Sequence, residues 1–214
     1  MAATSTARWR RRKDERPGEI LTAALACFAE RGFAATRLDD VAARAGVTKG
    51  TLYLYFASKE ELFKSVVRQE IVASIAQAEE MVAHSEESAA VLLERLLANW
   101  PGLIAASRIG AIPKLVLGEA GNFPELARFY LDEVVRRGTA LIAGILRRGV
   151  ERGEFRPALD IERAVFCVIA PVLFTMLWRH SLEPYADRPL DARALCATHL
   201  DLLLHGLSAP EPRE

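Results

Sequence analysis

The chain has 214 residues, of which 51% are hydrophobic and 26% are charged. This composition excludes a disordered or fibrous chain and is enough for one or two folded domains. The 28 Lys and Arg residues balance 28 Asp and Glu residues, but residues 1–64 hold 12 basic against 8 acidic residues and residues 65–214 hold 16 against 20. A basic front on an acidic body predicts a polyanion-binding part joined to a part of different function.

The first two predicted helices lie close together in the basic part. Apolar residues recur at helical spacing from Ile20 to Phe28, which predicts a helix that ends near Gly32. The hydroxyl of Thr36, with Asp39 three residues later, forms the capping-box pattern for a second helix. We expect Gly46 to end that helix.

A short third helix and a long fourth helix follow. Residues 48–56 predict the short helix, with Leu52 on its inner side. Ser58 and Glu61 repeat the capping pattern and start a helix that extends to about residue 83. Three short helices, with a tight glycine turn between the second and the third, have the layout of a helix-turn-helix.

The remaining segments also have helical periodicity. We expect a helix that stops before Pro101 and further helices with the bounds 106–118, 124–151, 160–182 and 191–207. The total is about nine helices with no convincing strand, so the predicted fold class is all-α.

The cysteines and the N-terminus indicate a cytoplasmic protein. Cys27, Cys167 and Cys196 are odd in number and lie in apolar helical contexts, which is typical of buried thiols in a reducing compartment. The polar, arginine-rich N-terminus does not look like a secretory signal. The longest uncharged stretch, 164–178, would span only ~22 Å of a ~30 Å bilayer core, so we expect no membrane partner.

The outward positions of the third helix predict a surface for DNA. They carry polar, flat or small groups, which suit base edges and phosphates in a major groove: Lys49, Gly50, Thr51, Tyr53 and Tyr55. Periodicity alone also permits an ordinary surface helix whose tyrosines pack at a domain interface.

The residues themselves favour the DNA-binding interpretation. Residues 32–63, GFAATRLDDVAARAGVTKGTLYLYFASKEELF, closely resemble the DNA-binding signature of the TetR family of bacterial transcriptional regulators. Leu54 stands where many relatives carry an aromatic or polar residue, which concerns the operator sequence rather than the fold.

The resemblance implies roles for particular residues. Lys49, Thr51 and Tyr53 would lie against bases and phosphates, and Gly50 would let the backbone approach closely. Phosphates would be held by Thr36, Tyr55 and Lys59, and Arg37 would reach a base edge or a phosphate. The DNA-binding set is Thr36, Arg37, Thr48, Lys49, Gly50, Thr51, Tyr53, Tyr55 and Lys59.

The apolar helix at 164–178 predicts a homodimer. It has no polar face, so it needs cover on both sides, and two such helices with two final helices would form a four-helix bundle of two-fold symmetry. The resemblance implies the same dimer, whereas the alternative is a single-chain core. The predicted interface comprises Phe166, Val172, Leu173, Leu177, Leu195 and Leu202.

The aromatic residues of the acidic body are compatible with a ligand cavity and equally with an ordinary core. Residues 115–138 and 152–157 resemble the C-terminal domains of multidrug-efflux and lipophile-responsive members, the AcrR-like branch. This implies a hydrophobic or amphipathic effector. The candidate effector-binding residues are Trp100, Arg108, Phe129, Phe166 and Trp178.

Enzyme motifs such as GxSxG, HExxH and a phosphate-binding glycine loop do not occur, and the four histidines are dispersed. We therefore expect neither an enzyme nor a metal or cofactor. The predicted domains are a flexible basic arm (1–16), a DNA-binding domain (17–64), an effector-binding and dimerisation domain (65–208) and a flexible tail (209–214). The basic arm either contacts DNA or is a solvated tail.

The predicted function is a homodimeric repressor on a palindromic operator in double-stranded DNA, released by a small lipophilic effector. An activator or catabolic-operon regulator of the same architecture stays open. So do a regulator that binds DNA constitutively because its pocket is filled, and a helical lipophile-binding or interaction protein without specific DNA binding.

Overall fold

The computed structural model describes the backbone of residues 3–106 and 108–208 and the side chains of residues 16–98 and 109–208. Within these ranges the chain forms nine helices, which confirms the all-α class. The only other pairing described is an isolated bridge between Phe155 and Ser208. The predicted tail, 209–214, lies outside the described residues.

Four helices form the N-terminal part. Helices α4 and α7 each contain one π-helical turn, so each consists of three consecutive segments. The helices are α1 (Ala3–Ala35), α2 (Leu38–Arg44), α3 (Lys49–Tyr55) and α4 (Lys59–Val67, Arg68–Val72 and Ala73–His84).

Five helices form the rest, with 3₁₀ turns before α6 (Arg108–Gly110) and after α8 (Glu183–Tyr185). They are α5 (Ala89–Ala106), α6 (Ala111–Glu119), α7 (Pro124–Tyr130, Leu131–Val135 and Arg136–Glu151), α8 (Ile161–Ser181) and α9 (Ala192–Leu207).

Local end signals account for several helix starts. Ser58 accepts a hydrogen bond from the Glu61 N–H at 3.2 Å, Asp160 accepts one from Arg163, and Asp191 accepts one from Ala194. Such caps satisfy backbone donors that have no partner within the helix. These three predicted starts are therefore confirmed.

Four predicted boundaries differ from the structure, one of them the start of α6, which lies at Ala111 rather than at residue 106. The backbone of residues 3–16 continues α1 where we expected an arm, which agrees with the helical propensity of its Ala and Arg residues. Helix α2 starts at Leu38, because the Thr36 hydroxyl bonds to α1 instead of capping α2. Helix α5 continues through Pro101 to Ala106; the proline removes one helical hydrogen bond, but α5 is held by packing against α7 and α9.

Two clusters of buried side chains form the core. The first joins α1–α4 to α6 and to the start of α7, and its centre is three aromatic rings, Phe28, Phe33 and Phe63, with centroids 5.5–5.6 Å apart. The second joins α5, α7, α8 and α9. The first cluster crosses residue 64, so packing is continuous across the predicted domain boundary.

Helix α8 is unusually apolar. At 21 residues it is, by length and composition alone, long and apolar enough to cross a membrane, yet only a third of its most apolar window is buried within this chain. Cys167 on this helix is exposed, in contrast to the buried Cys27 and Cys196, so the prediction of a buried thiol is wrong at this position. Helix α8 therefore presents apolar surface that its own chain does not cover.

Candidate DNA-binding surface and effector-binding domain

The turn between α2 and α3 is fixed by backbone geometry. Gly46 has φ 65°, a left-handed conformation that glycine adopts without a steric penalty. Its N–H donates to Ala43 O at 3.2 Å, and the Val47 N–H donates to Ala42 O at 3.0 Å. These two bonds form the Schellman motif that ends a helix, so the predicted helix-turn-helix turn is present.

The orientation of α3 follows from its caps and its anchors. The Thr48 hydroxyl accepts a hydrogen bond from the Thr51 N–H at 3.2 Å and starts the helix. Leu52 is fully buried, and Phe56 closes the far end in the first core cluster. With this inner side fixed, the opposite side of α3 faces solvent.

The outer face of α3 carries most of the predicted DNA-binding residues. Thr48, Lys49, Gly50 and Tyr53 are exposed, and Thr51 and Tyr55 are half-buried. Arg37 is exposed immediately before α2, beside this face.

Lys49 is paired within this surface. Its Nζ lies 2.9 Å from Asp39 Oδ1 on α2, and both side chains are exposed. The hydrogen bond to Asp39 raises the pKa of Lys49. Because exposed ion pairs contribute little to stability, the Lys49 ammonium can exchange this partner for another anion.

Thr36 and Lys59, both predicted to hold phosphates, have other partners. Thr36 is 2% exposed, and the single proton of its hydroxyl is shared between Gly32 O at 2.7 Å and Cys27 O at 3.2 Å. Both bonds hold the end of α1, where carbonyl groups lack helical partners. The prediction that the Thr36 side chain contacts a phosphate is wrong for this buried hydroxyl.

The Lys59 ammonium caps the same end of α1. It donates to the carbonyl oxygens of Phe33 (2.8 Å), Ala34 (3.0 Å) and Thr36 (3.2 Å) and lies 4.6 Å from the centroid of the Phe33 ring. A cation is favoured at a helix C-terminus, where the carbonyl dipoles point outward. The three donors of the ammonium are thereby used, so Lys59 is not available for a phosphate in this arrangement.

The outer face of α8 is a stripe of apolar side chains at i, i+4 spacing. Phe166, Phe174 and Leu182, the last of which directly follows α8, are 63%, 50% and 53% exposed, and the exposed Ala170 and half-buried Trp178 lie between them. On α9, Leu202 is 67% exposed. Several large apolar side chains are thus exposed on one helix, more than the isolated exposed leucines that any surface carries.

Val172 was predicted for the dimer interface, but it points inward. It is 4% exposed and belongs to the second core cluster. The all-round apolar pattern of α8 gave no way to choose the outward stripe, and packing in the second core cluster buries the side that contains Val172. Leu173, Leu177 and Leu195 are half-buried, so each keeps part of its side chain accessible.

The predicted effector-binding residues do not meet in one described cavity. The side chains of Trp100 and Arg108 lie outside the described residues. Phe129 packs on the first core cluster beneath Arg68, whose Cζ lies 5.0 Å from the ring centroid. Phe166 is too exposed to line an enclosed cavity, so the prediction of an effector contact there is wrong for a single chain.

The C-terminal half of α8 has unsatisfied polar atoms. Trp178 Nε1 and His180 Nε2 are buried without a hydrogen-bond partner, which is uncommon for buried polar groups. Lys114 of α6 donates to the His180 carbonyl oxygen. Burial, together with the charges of Arg179 and Lys114, lowers the pKa of His180. Sequence reasoning missed His180 and Lys114, because their meeting depends on the packing of α6 on α8.

A separate concavity of about 700 Å³ is an open groove along α4. None of the predicted effector-binding residues lines it; the lining residues are Ala76, Gln77, Glu80, Met81 and His84.

Two family models match the chain and together cover most of it. Bacterial regulatory proteins of the tetR family match residues 20–66, and the Tetracyclin repressor-like C-terminal domain matches residues 83–194. The chain belongs to the TetR family. It is thus a DNA-binding transcriptional regulator, which confirms the resemblance found in residues 32–63, and the relatives named below are regulators rather than enzymes.

Curated TetR-family relatives match almost the whole chain. The HTH-type transcriptional repressor KstR2 of Mycobacterium tuberculosis is 30% identical over 201 residues, which is 91% of this chain and 94% of that protein. The fatty acid metabolism regulator protein of Bacillus subtilis is 27% identical over 203 residues, which is 91% of this chain and 98% of that protein.

Solved TetR-family structures have the same fold. FadR from B. subtilis in complex with stearoyl-CoA superposes with a TM-score of 0.70 at 25% identity and covers 88% of this chain and 98% of that chain. The ketosteroid transcriptional regulator KstR2 of M. tuberculosis superposes with a TM-score of 0.68 at 27% identity, covering 90% and 95%.

The two parts of this TetR-family chain meet at the end of α1. Glu119, the last residue of α6, accepts a hydrogen bond from the Ala34 N–H at 3.2 Å. Phe123, just before α7, packs edge-on against Phe33 with the ring centroids 4.8 Å apart. Gly32 makes the kink at this point with φ 80°. The region matched by the C-terminal family model therefore touches the helix that supports α2 and α3.

Proposed function

We propose that this TetR-family regulator is a homodimeric repressor that leaves a palindromic operator when it binds a lipid-derived effector. The observation that carries the proposal is the outer face of α3, which the helix-turn-helix turn and the buried Leu52 direct away from the core. Repressors among the named relatives support the sign of regulation.

The proposed base contacts are made by Arg37, Lys49 and Thr51, with Tyr53 against bases or phosphates. Thr48 and Tyr55 bind the flanking phosphates, and Gly50 lets the α3 backbone approach the groove. On binding, Lys49 would exchange Asp39 for the DNA. Base contacts of this kind contribute about 1–3 kcal/mol of discrimination each, whereas phosphate contacts set the register.

The proposed dimer covers the exposed stripe of α8. Phe166, Phe174 and Leu182 would pack against the same stripe of a second copy, together with Leu202 of α9, while Leu173, Leu177 and Leu195 lie at the edge of the contact. Such a dimer would present two α3 helices to the two half-sites of an operator, whose centres lie about 34–36 Å apart. Sedimentation of the wild-type chain as a monomer at micromolar concentration would contradict it.

The proposed effector is a lipid derivative rather than the varied drugs of the multidrug-efflux branch that the sequence favoured. One named relative regulates fatty acid metabolism and has a solved structure with stearoyl-CoA, and another is a ketosteroid regulator. Long acyl chains and steroids share a large apolar body, so either suits the lipophile class expected from the sequence. We take an acyl-CoA as the first compound to test.

The effector site that we propose lies beside the C-terminal half of α8, against α6. Trp178 Nε1 and His180 Nε2 are buried there without partners, and a ligand oxygen or nitrogen would satisfy them. Lys114 and Arg179 contribute positive charge close by, which suits an anionic headgroup such as the phosphates of coenzyme A.

The proposed signal runs from α6 to the end of α1. A ligand that shifts α6 would act on Ala34 through Glu119 and on Phe33 through Phe123, and α4 begins at the same point with Lys59. The effector weakens DNA binding only to the extent of its differential affinity for the two states. A coupling of about 1–3 kcal/mol gives about a 5–150-fold loss of operator affinity.

Fluorescence anisotropy tests the proposal with an operator selected by the protein from a random duplex library. Saturating stearoyl-CoA should weaken binding of the labelled operator. The Trp178→Phe variant should bind the operator as tightly as the wild type does, but a higher concentration of stearoyl-CoA should be needed to release it. Release that is identical in wild type and Trp178→Phe would contradict the site.

A reporter gene placed behind the selected operator decides the sign of regulation. Higher expression when the regulator is deleted supports a repressor. Lower expression would support the activator alternative. If selection yields no preferred sequence, the chain is a lipophile-binding protein without specific DNA binding.

A further inference from the structure

Leu54 is the most exposed large aliphatic side chain on the DNA-facing part of the molecule. It is 83% exposed in the middle of α3, next to Tyr53 at 46%. The other leucine of this short helix, Leu52, is fully buried, so Leu54 is not needed to hold α3 to the core. Its side chain projects from a helix that otherwise presents hydroxyl groups, a phenol ring and an ammonium group.

The surroundings of Leu54 are open enough for a close approach. Gly50 lies one turn earlier on the same side of α3, and a Cβ built there would have only the Thr48 hydroxyl within 4 Å, at 3.9 Å. Gly50 therefore places no side chain beside Leu54 on the preceding turn of α3. This leaves the 83% exposed side chain of Leu54 accessible from that direction.

The chemistry of the major groove offers one apolar group to an aliphatic side chain, the C5-methyl group of thymine. The other groups exposed there are hydrogen-bond donors and acceptors, and covering one of these with a leucine would leave it unpaired at a cost in free energy. An aliphatic residue on a groove-facing helix thus favours thymine over cytosine, which lacks the methyl group and presents an amino group.

We propose that Leu54 is a specificity-determining residue that reads a thymine methyl group in each half-site of the operator. The proposal rests on the DNA-binding function proposed above and adds a hydrophobic contact to the polar contacts of Arg37, Lys49 and Thr51. It requires a thymine at one fixed position of each half-site. A 5-methylcytosine at that position would satisfy the leucine in part.

The test combines a substitution in the protein with the removal of one methyl group from the DNA. In one half-site of the selected operator, each thymine is replaced in turn by deoxyuridine, which differs only by the C5-methyl group. Binding to wild type and Leu54→Ala is measured by fluorescence anisotropy at one salt concentration. Leu117→Ala, which changes an exposed leucine of α6, is the matched control, and thermal melts confirm that all variants are folded.

One deoxyuridine position should weaken wild-type binding about fourfold, the change expected for one buried methyl group at about 0.8 kcal/mol. Leu54→Ala should lose this dependence, since the side chain that contacts the methyl group is gone, whereas Leu117→Ala should keep it. When Leu54→Ala is used to select an operator from the random duplex library, the selected sequences should no longer require thymine at that position.

Equal responses of wild type and Leu54→Ala to every deoxyuridine would overturn the assignment of Leu54 and leave specific DNA binding intact. A change of oligomeric state in Leu54→Ala without any change in the deoxyuridine pattern would also overturn it, because Leu54 would then face another protein chain. If the wild type selects no operator, the proposed DNA-binding function itself fails.

Discussion

Replacing Lys59 shows whether this lysine caps the end of α1 or contacts a DNA phosphate. Its ammonium donates to three carbonyl oxygens at the end of α1 and lies over the Phe33 ring. Lys59→Met keeps an apolar stem of similar length and removes only the charged donor. The carbonyl groups of Phe33, Ala34 and Thr36 then lose their partner, and two of these three hydrogen bonds are part-buried.

The expected loss of stability is about 2–3 kcal/mol, since hydrogen bonds to charged groups contribute about 1.5–3 kcal/mol and a cation over a ring adds to them. For a chain of this size the melting temperature should fall by about 4–12 °C. Circular dichroism at 222 nm during heating measures this fall.

The salt dependence of operator binding shows whether Lys59 also contacts a phosphate. Each lysine that neutralises a phosphate contributes about one to the slope of log affinity against log salt concentration. Lys59→Met should leave the slope unchanged, whereas Lys49→Met, which removes a proposed base contact, should reduce the preference for operator over random duplex DNA without lowering the melting temperature. A Lys59→Met variant with an unchanged melting temperature and a slope smaller by one would refute the capping role.

Three further changes test other parts of the structure. Gly149→Ala should lower the melting temperature by an amount equivalent to about 1–3 kcal/mol, because the new Cβ would overlap the Phe155 ring and lie 2.9 Å from Ala89 Cβ; an unchanged melt would show that this contact is not tight. Glu119→Ala, which removes the oxygen that accepts from the Ala34 N–H, should bind stearoyl-CoA normally in calorimetry and yet release the operator less completely; wild-type release would exclude this route. Burial lowers the pKa of His180 from its ordinary value of 6.5. Below pH 6.5 the unfolded chain therefore binds a proton at this histidine more readily than the folded chain does. The free energy of unfolding should decrease in this pH range. Melts between pH 7.5 and 5.5 should show a smaller decrease for His180→Gln, and an equal decrease would assign the effect to other groups.

The sequence predicted features whose cause is local. The glycine turn at Gly46 and the caps at Ser58, Asp160 and Asp191 each depend on one residue and its near neighbours. The outer face of α3 could be predicted for the same reason, since a single buried residue, Leu52, orients the helix. Most of the proposed DNA-binding residues could therefore be predicted from the amino-acid sequence alone.

Features that depend on distant contacts were not predictable in this way. Thr36 and Lys59 have the residue types of phosphate ligands, but the end of α1 recruits both to its free carbonyl groups. Val172 and Phe174 lie two residues apart on a helix that is apolar all round, so only its packing shows which one faces outward. His180 meets Lys114 across 66 positions of sequence, and no local pattern indicates that pairing.

Release of the operator by a lipid effector is tested by the affinity for stearoyl-CoA, measured by calorimetry with and without saturating operator DNA. Thermodynamic linkage requires the operator to weaken stearoyl-CoA binding by the same factor by which stearoyl-CoA weakens operator binding. Stearoyl-CoA should bind about 5–150-fold more weakly when the operator is present, with a negative heat-capacity change from the burial of the acyl chain. Equal affinity in the presence and absence of the operator would contradict release by a lipid effector.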